Sequence, residues 1–148
     1  MTWNDLRKGR VSLSGVAYHI TTVTRDRSPL FIALDTGRKV VRELMTLHDE
    51  ARCETLCYVV MPDHLHWLMV LRSGTLADAV RLLKGRSVRA IGHAVWQPSY
   101  FDHAVRGDED LRTMARYIVA NPLRAGLVDR IGDYPLWDAI WLDETLSS

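Results

Sequence analysis

The stretch YVVMPDHLHWLMVL, Tyr58 to Leu71, decides the reading of this chain. It is nearly all apolar, and Pro62-Asp63 interrupts it with two residues that favour a turn. The pattern predicts a strand over 55–61, a tight connection, and a second strand over 64–71, so the two form a hairpin. Within the second strand, side chains alternate between faces. His64, His66, Leu68 and Val70 therefore share one face. Two imidazoles two residues apart have Cα atoms ~6.8 Å apart on a strand, close enough for both to reach one ion. The same tripeptide also suits two half-exposed histidines at a hairpin mouth, and on spacing alone that plainer reading leads.

Working outward, GVAYHITTVT (15–24) is rich in β-branched and aromatic residues and predicts a first strand. LDTGRKVVRELMTLHDEAR follows with Val40, Val41, Leu44 and Leu47 at helical spacing, with Asp35 or Thr36 as its cap. After the hairpin, SGTLADAVRLLKGRSVRAIGHA predicts a second helix started by Ser73 or Thr75, with a kink expected at Gly85. A fourth strand falls near 101–105. DEDLRTMARYIVA makes a third helix, with Asp108 as N-cap and acids in its first turn. Asn121-Pro122 stops that helix and opens a short one, PLRAGLV, with Pro at its first position. Gly132 and Pro135 mark an irregular tail. The order strand–helix–strand–strand–helix–strand is the split βαβ, or ferredoxin-like, pattern, an α+β fold with four antiparallel strands backed by two helices. A single domain is expected over 1–148, with a core of about 15–135, a basic segment at 1–14 and an acidic tail at 136–148.

Composition bounds the function classes. The 148 residues are 47% hydrophobic and 25% charged, the balance of an ordinary globular domain. No apolar run nears the ~18 residues of a membrane span, and the first ten residues lack the apolar segment of a secretory signal. A cytoplasmic location without membrane attachment is expected. Cys53 and Cys57 form one lone pair, which predicts two reduced, packed thiols rather than a zinc site. The net charge of +1 conceals an asymmetry: residues 1–130 hold 19 bases and 14 acids, and residues 131–148 hold four acids and no base. Basic residues gather in RKGR (7–10) and RLLKGRSVR (81–89). That distribution suits a polyanionic partner, although charge alone also fits solvated helix faces.

Candidate site residues extend from the histidine pair. His19, His93 and His103 could join it, but each reads more simply as an ordinary surface or core histidine. Tyr117 and Asn121 stand at i and i+4, which places a phenol and an amide oxygen on one helix face. A packed aromatic and a plain N-cap are the simpler readings of those two.

The ordered set of motifs is more specific than any one of them. MPDHLHWLMV, then VWQPSYFDHAVR, then YIVANPLRAGLV, with AYHITTVTRDRSPLF near the start, resembles the single-tyrosine HUH transposases, and among them the REP-associated tyrosine transposases. The resemblance covers roughly residues 15–135. It implies His64, His66 and Asn121 as metal ligands, Tyr117 as the catalytic tyrosine, and Mg²⁺ or Mn²⁺ as the divalent cation. Coordination chemistry alone would admit Zn²⁺ equally. It further implies cleavage of single-stranded DNA beside a repeat hairpin through a 5′-phosphotyrosine, by a monomer or homodimer in a bacterial, nucleoid-associated setting. Arg7, Lys8, Arg10, Lys84 and Arg86 are the expected DNA-binding residues, with Trp96, Tyr100 and Phe101 as base platforms. Lys84, Arg86 and Arg116 are candidates for the positive field that helps ionise a phenol of pKa ~10. Two other classes fit parts of the pattern: a non-catalytic single-stranded nucleic-acid-binding module of the same shape, and a metal-dependent phosphate-ester hydrolase. The hydrolase would need carboxylates near the histidines, and only Asp63 and Asp102 are obvious.

Overall fold

The structure is a computed structural model that describes residues 17–140. Its centre is the hairpin. Strand β2 (Cys53–Met61) and strand β3 (His64–Leu71) pair antiparallel from Met61↔His64 outward, so Pro62 and Asp63 alone connect them. On its other side β3 pairs with β1 (Ala17–Val23), and β1 pairs with β4 (Phe101–Val105). The five-stranded sheet runs β4-β1-β3-β2-β5 and every pairing is antiparallel. Its first four strands have the expected ferredoxin-like order.

Helices α1 (Leu34–Asp49) and α2 (Leu76–Ile91) cover one face of the sheet. They bury Val40, Leu44, Leu47, Val80 and Leu83 against Ile20, Leu65, Trp67 and Met69. Helix α3 (Asp108–Val119) covers the other face, packing Leu111, Ala115, Ile118 and Val119 on Leu68 and Val70. The alternation of β3 thus feeds two cores. On the α3 face the buried apolar row ends at Leu68, and toward the hairpin the same face carries His66 and His64.

Local chemistry explains the helix ends. Thr75 Oγ1 accepts from the Asp78 N–H at 3.1 Å and caps α2. Gly92 ends that helix with φ 96, a conformation that costs glycine little. The helix runs unbroken through Gly85, so the expected kink is absent. At α1, neither Asp35 nor Thr36 is the cap; Ala33 takes that place. The preceding turn fixes the entry earlier, because Phe31 is buried and its N–H donates to the Pro62 carbonyl at 3.0 Å. At α3, Gly107 stands before the first turn with φ 84, which moves Asp108 into the helix beside Glu109 and Asp110. Three acids there complement the positive helix end.

Two features of β2 depart from the expected pattern. A register shift between Thr55 and Cys57 inserts Leu56 as an extra residue. The alternation therefore flips, and Cys53 and Cys57 go to opposite cores, both buried and unbridged. The segment Trp137–Ala139, expected in an irregular tail, is strand β5 and pairs with Val59, Tyr58 and Cys57. It is anchored by Leu136, whose carbonyl accepts from Val60 N–H at 2.9 Å and whose side chain packs on Gly37 of α1. Tyr134 adds a hydroxyl hydrogen bond to the Val60 carbonyl at 2.6 Å. Leu136 is 4% exposed. Its replacement by alanine should cost about 2–5 kcal/mol, read as a lower urea midpoint at unchanged slope. An unchanged midpoint would mean that β5 is not part of the cooperative unit. Among the described residues no helix is long and apolar enough to cross a membrane.

Candidate active site

The two hairpin histidines are held differently. Asp63 Oδ1 lies 2.7 Å from His64 Nδ1 and accepts a hydrogen bond from it. Burial pushes the Asp63 carboxyl up, but the hydrogen bonds and charges of His64 and Arg27 outweigh it and keep the group below its ordinary value. An ionised carboxylate can only accept, so His64 carries hydrogen on Nδ1, an arrangement that in the neutral ring leaves the lone pair on Nε2. His66 Nδ1 lies 2.9 Å from His19 Nε2, with Thr21 Oγ1 3.3 Å from the same His66 atom. When His66 Nδ1–H is the donor, its Nε2 is likewise left as an acceptor. The rings of His64 and His66 stand edge to face with centroids 4.8 Å apart.

His66 and His19 favour neutral imidazole. Burial, followed by the charges of His64, His19 and Arg124, lowers His66 to about 3. Burial and then His103 lower His19 to about 4. Neutral rings are what metal ligation requires. Among the described residues no three His, Cys, Asp or Glu side chains are arranged to hold a metal ion. The protein donors on offer are therefore two imidazole nitrogens, with an amide rather than a carboxylate as the candidate third. Such a set suits a divalent cation that keeps other positions for water and phosphate oxygens.

Tyr117 lies near the end of α3 and is 53% exposed. Helix α3 stops at Val119, and a separate short helix, α4 (Asn121–Arg124), opens after Ala120. The cause is Pro122, which has no N–H to continue the ladder. Tyr117 and Asn121 thus sit on consecutive helices rather than on one face of a single helix. The break also folds Arg124 back. Its Nη1 donates to the Tyr117 carbonyl at 2.7 Å, and its Cζ lies 3.9 Å from the Tyr117 ring centroid. Arg124 is also among the charges acting on His66. One guanidinium therefore stacks on the tyrosine while its field reaches the histidine cluster. Tyr117 also lines a cleft of about 360 Å³ together with His103, Arg106, Asp110 and Met114. His103 pairs in register with His19, which extends the imidazole row across β3, β1 and β4.

The remaining candidates fall elsewhere. Arg7, Lys8 and Arg10 lie outside the described residues. Lys84 is engaged by three backbone carbonyls, with Nζ 2.9 Å from Gln97 O, 3.4 Å from Pro98 O and 3.0 Å from Ser99 O. Burial lowers its pKa. Arg86 pairs with Glu50 at 2.9 Å, across α1 and α2 and on the opposite face of the sheet from the histidines. His93 Nδ1 makes a local contact to Ala94 O at 2.9 Å. Asp63 does more than form a turn, since it orients His64. Asp102 is an exposed β4 residue. Of the histidines that could join the pair, His19 is the one brought onto His66, whereas the sequence assigns Arg124 no role. Arg124 follows Tyr117 by seven residues, two helical turns, and that spacing was the available signal.

Comparison with known proteins gives the class and then the nearer relatives. Residues 12–121 match the family described as "Transposase IS200 like", and the chain belongs to that family of transposases. A REP-associated tyrosine transposase of Escherichia coli strain K12 is 33% identical over 130 residues, covering 85% of this chain and 78% of that protein. A solved structure of a REP-associated tyrosine transposase bound to a REP hairpin superposes with a TM-score of 0.73 at 25% identity, covering 83% of this chain and 76% of that one. The ordered motifs and the fold therefore point to the same group of transposases.

Proposed function

We propose that the chain cleaves and rejoins single-stranded DNA at or beside hairpin-forming repeats, with Tyr117 as nucleophile. The observation that carries this reading is Arg124, which stacks on Tyr117 and also exerts its charge on His66. The relative solved with a REP hairpin supports the choice of polymer.

In the cleavage step Tyr117 Oη forms a bond to phosphorus and the bond from phosphorus to the 3′ oxygen breaks. The products are a 5′-phosphotyrosine and a 3′-hydroxyl, and the phenolic proton leaves to solvent or to the departing oxygen. The number of phosphate ester bonds is unchanged. A 3′-hydroxyl can therefore reverse the step with no nucleotide cofactor. His64 and His66 would hold a divalent cation through Nε2, with the Asn121 amide as third donor. When bound, such a cation, Mg²⁺ or Mn²⁺, would neutralise charge on the phosphate oxygens. Asp63 and His19 keep the two rings in the required tautomers. Arg124 holds the Tyr117 ring in place and presents a fixed cation where negative charge develops.

The direct test is a labelled single-stranded hairpin with its flanks, incubated with Mn²⁺ and read on a denaturing gel. A covalent band is expected. Binding without any band, on every repeat tried, would favour the non-catalytic module. Arg124→Ala should slow adduct formation about 10²-fold at saturating DNA. Arg124→Lys should not restore the rate, because a point-charge ammonium replaces neither the flat stack nor the fixed bond to the Tyr117 carbonyl. Recovery by lysine would reduce the role of Arg124 to net charge.

A further inference from the structure

A phenol of pKa ~10 is only about 0.1% ionised at pH 7, so attack by Tyr117 calls for a group that takes its proton. The side chains already placed at the site do not serve. Arg124 stacks on Tyr117, but a guanidinium has no lone pair to offer a proton. Asp63 accepts from His64 and from Arg27. His19 Nε2 is turned to His66 Nδ1 at 2.9 Å. Burial and then His103 lower His19 to about 4, so it is a poor base at neutral pH.

His103 is the remaining member of the imidazole row. It is exposed, and among the described residues it makes no hydrogen bond or ion pair. Cross-strand partners share a face, and His103 pairs with His19, so its ring lies on the α3 side of the sheet. There it borders the cleft of about 360 Å³ that Tyr117 also lines. The opposite wall of that cleft is one stripe of α3: Asp110, Thr113, Met114 and Tyr117, at spacings of three and four.

The chain reverses between the two walls at Gly107, where φ is 84. From Arg106 back to His103 the strand direction covers ~10 Å, at about 3.4 Å per residue. From Asp110 on to Tyr117 the helix covers ~10.5 Å, at about 1.5 Å per residue. Arg106 therefore falls level with Asp110, and His103 with Tyr117. The charged and titratable groups that face His103 are His19 from β1, Arg106 at the end of β4, and Asp110 and Tyr117 from α3. A carboxylate is a far weaker base than an imidazole, which sets Asp110 aside.

We propose that His103 is the general base for Tyr117, taking the Oη proton as Oη bonds to phosphorus and passing it to solvent. The proposal rests on the strand-cleavage reading and deepens it. The Oη–H bond breaks as an N–H bond forms on the imidazole lone pair. An Oη electron pair makes the bond to phosphorus. The bond from phosphorus to the 3′ oxygen breaks with its pair on that oxygen, which takes a proton from water. In the reverse step the imidazolium returns a proton to Oη. Imidazole gives and takes protons near neutral pH, which suits it to both directions.

The test is the pH dependence of single-turnover adduct formation on the hairpin with its flanks, in Mg²⁺, for wild type, His103→Gln and His103→Ala. At pH 7 both variants should form the covalent band about 10²-fold more slowly than wild type. By pH 9.5 a phenol of pKa ~10 is about 24% ionised, roughly two hundredfold more than at pH 7, and tyrosinate needs no base. The gap should therefore close to within about threefold. Protonation of His64 or His66 acts on all three proteins alike and cancels in the ratio. His103 is exposed, so both variants should fold, and both should bind the hairpin without metal as wild type does. Free imidazole should speed His103→Ala about tenfold at pH 7, relative to wild type in the same buffer, and leave Tyr117→Phe without a band.

A gap that stays constant from pH 7 to 9.5 makes His103 a positioning residue and overturns the proposal. Variants as fast as wild type overturn it too. Hairpin binding lost in both variants, with the rate restored at saturating DNA, reassigns His103 to a strand contact and equally overturns it. A wild type that gives no band sinks the strand-cleavage reading and this proposal together. A band that depends on Tyr117, with a ratio flat in pH, sinks this proposal alone.

Discussion

Tyr117→Phe is expected to abolish the covalent protein–DNA band and to leave binding of the hairpin unchanged within about twofold. The substitution removes one oxygen and nothing else. The ring remains, so Arg124 keeps its stacked partner at 3.9 Å and its bond to the Tyr117 carbonyl. Tyr117 is 53% exposed, so stability should move by no more than ~0.5 kcal/mol. The rate should fall by on the order of 10⁴ or more, the scale seen when a covalent nucleophile is deleted. The contrast between a lost band and retained binding gives the experiment its value, because a misfolded variant would lose both. A band that survives in Tyr117→Phe would falsify the assignment and move the search to another nucleophile.

Much of this architecture follows from short-range pattern. Alternation along β3 assigns Leu65, Trp67 and Met69 to one core and Leu68 and Val70 to the other, and it puts His64 and His66 together. Pro62-Asp63 marks the hairpin, and Asp108, Glu109 and Asp110 mark the start of α3. What stayed hidden depends on register or on backbone breaks. His19 meets His66 only because Thr21 pairs with His66 across β1 and β3, and no local spacing encodes that pairing. Arg124 reaches Tyr117 across a break imposed by Pro122. Strand β5 is three residues long, too short to show a period, and it exists because Leu136 fits against Gly37. The flip of Cys57 to the α3 core comes from a bulge that composition does not announce. Lys84 looked like a phosphate contact by charge, yet its use by three carbonyls depends on the fold of residues 97–99.

The imidazole row yields the second large effect. His66→Ala should lower adduct formation by on the order of 10² or more, beyond the 10–100-fold typical of losing an outer partner. It should also remove any rise in melting temperature that Mn²⁺ gives wild type; at a hundred times the dissociation constant that stabilisation is ~2.7 kcal/mol. This thermal readout needs no DNA and no turnover. His19 separates ligation from support. It contacts His66 Nδ1 at 2.9 Å, so His19→Ala should loosen the ring without deleting a ligand. Roughly tenfold loss of activity is expected there, with the Mn²⁺ shift reduced but present. Deleting either partner of this half-buried hydrogen bond should cost about 1 kcal/mol without metal, so that baseline cancels between the two variants. The decisive quantity is therefore the difference in Mn²⁺-dependent stabilisation. If His66→Ala retains the full shift, the hairpin histidines do not hold the cation. If His19→Ala loses as much as His66→Ala, the bound ring is the one on β1, and the pair on β3 supports it instead.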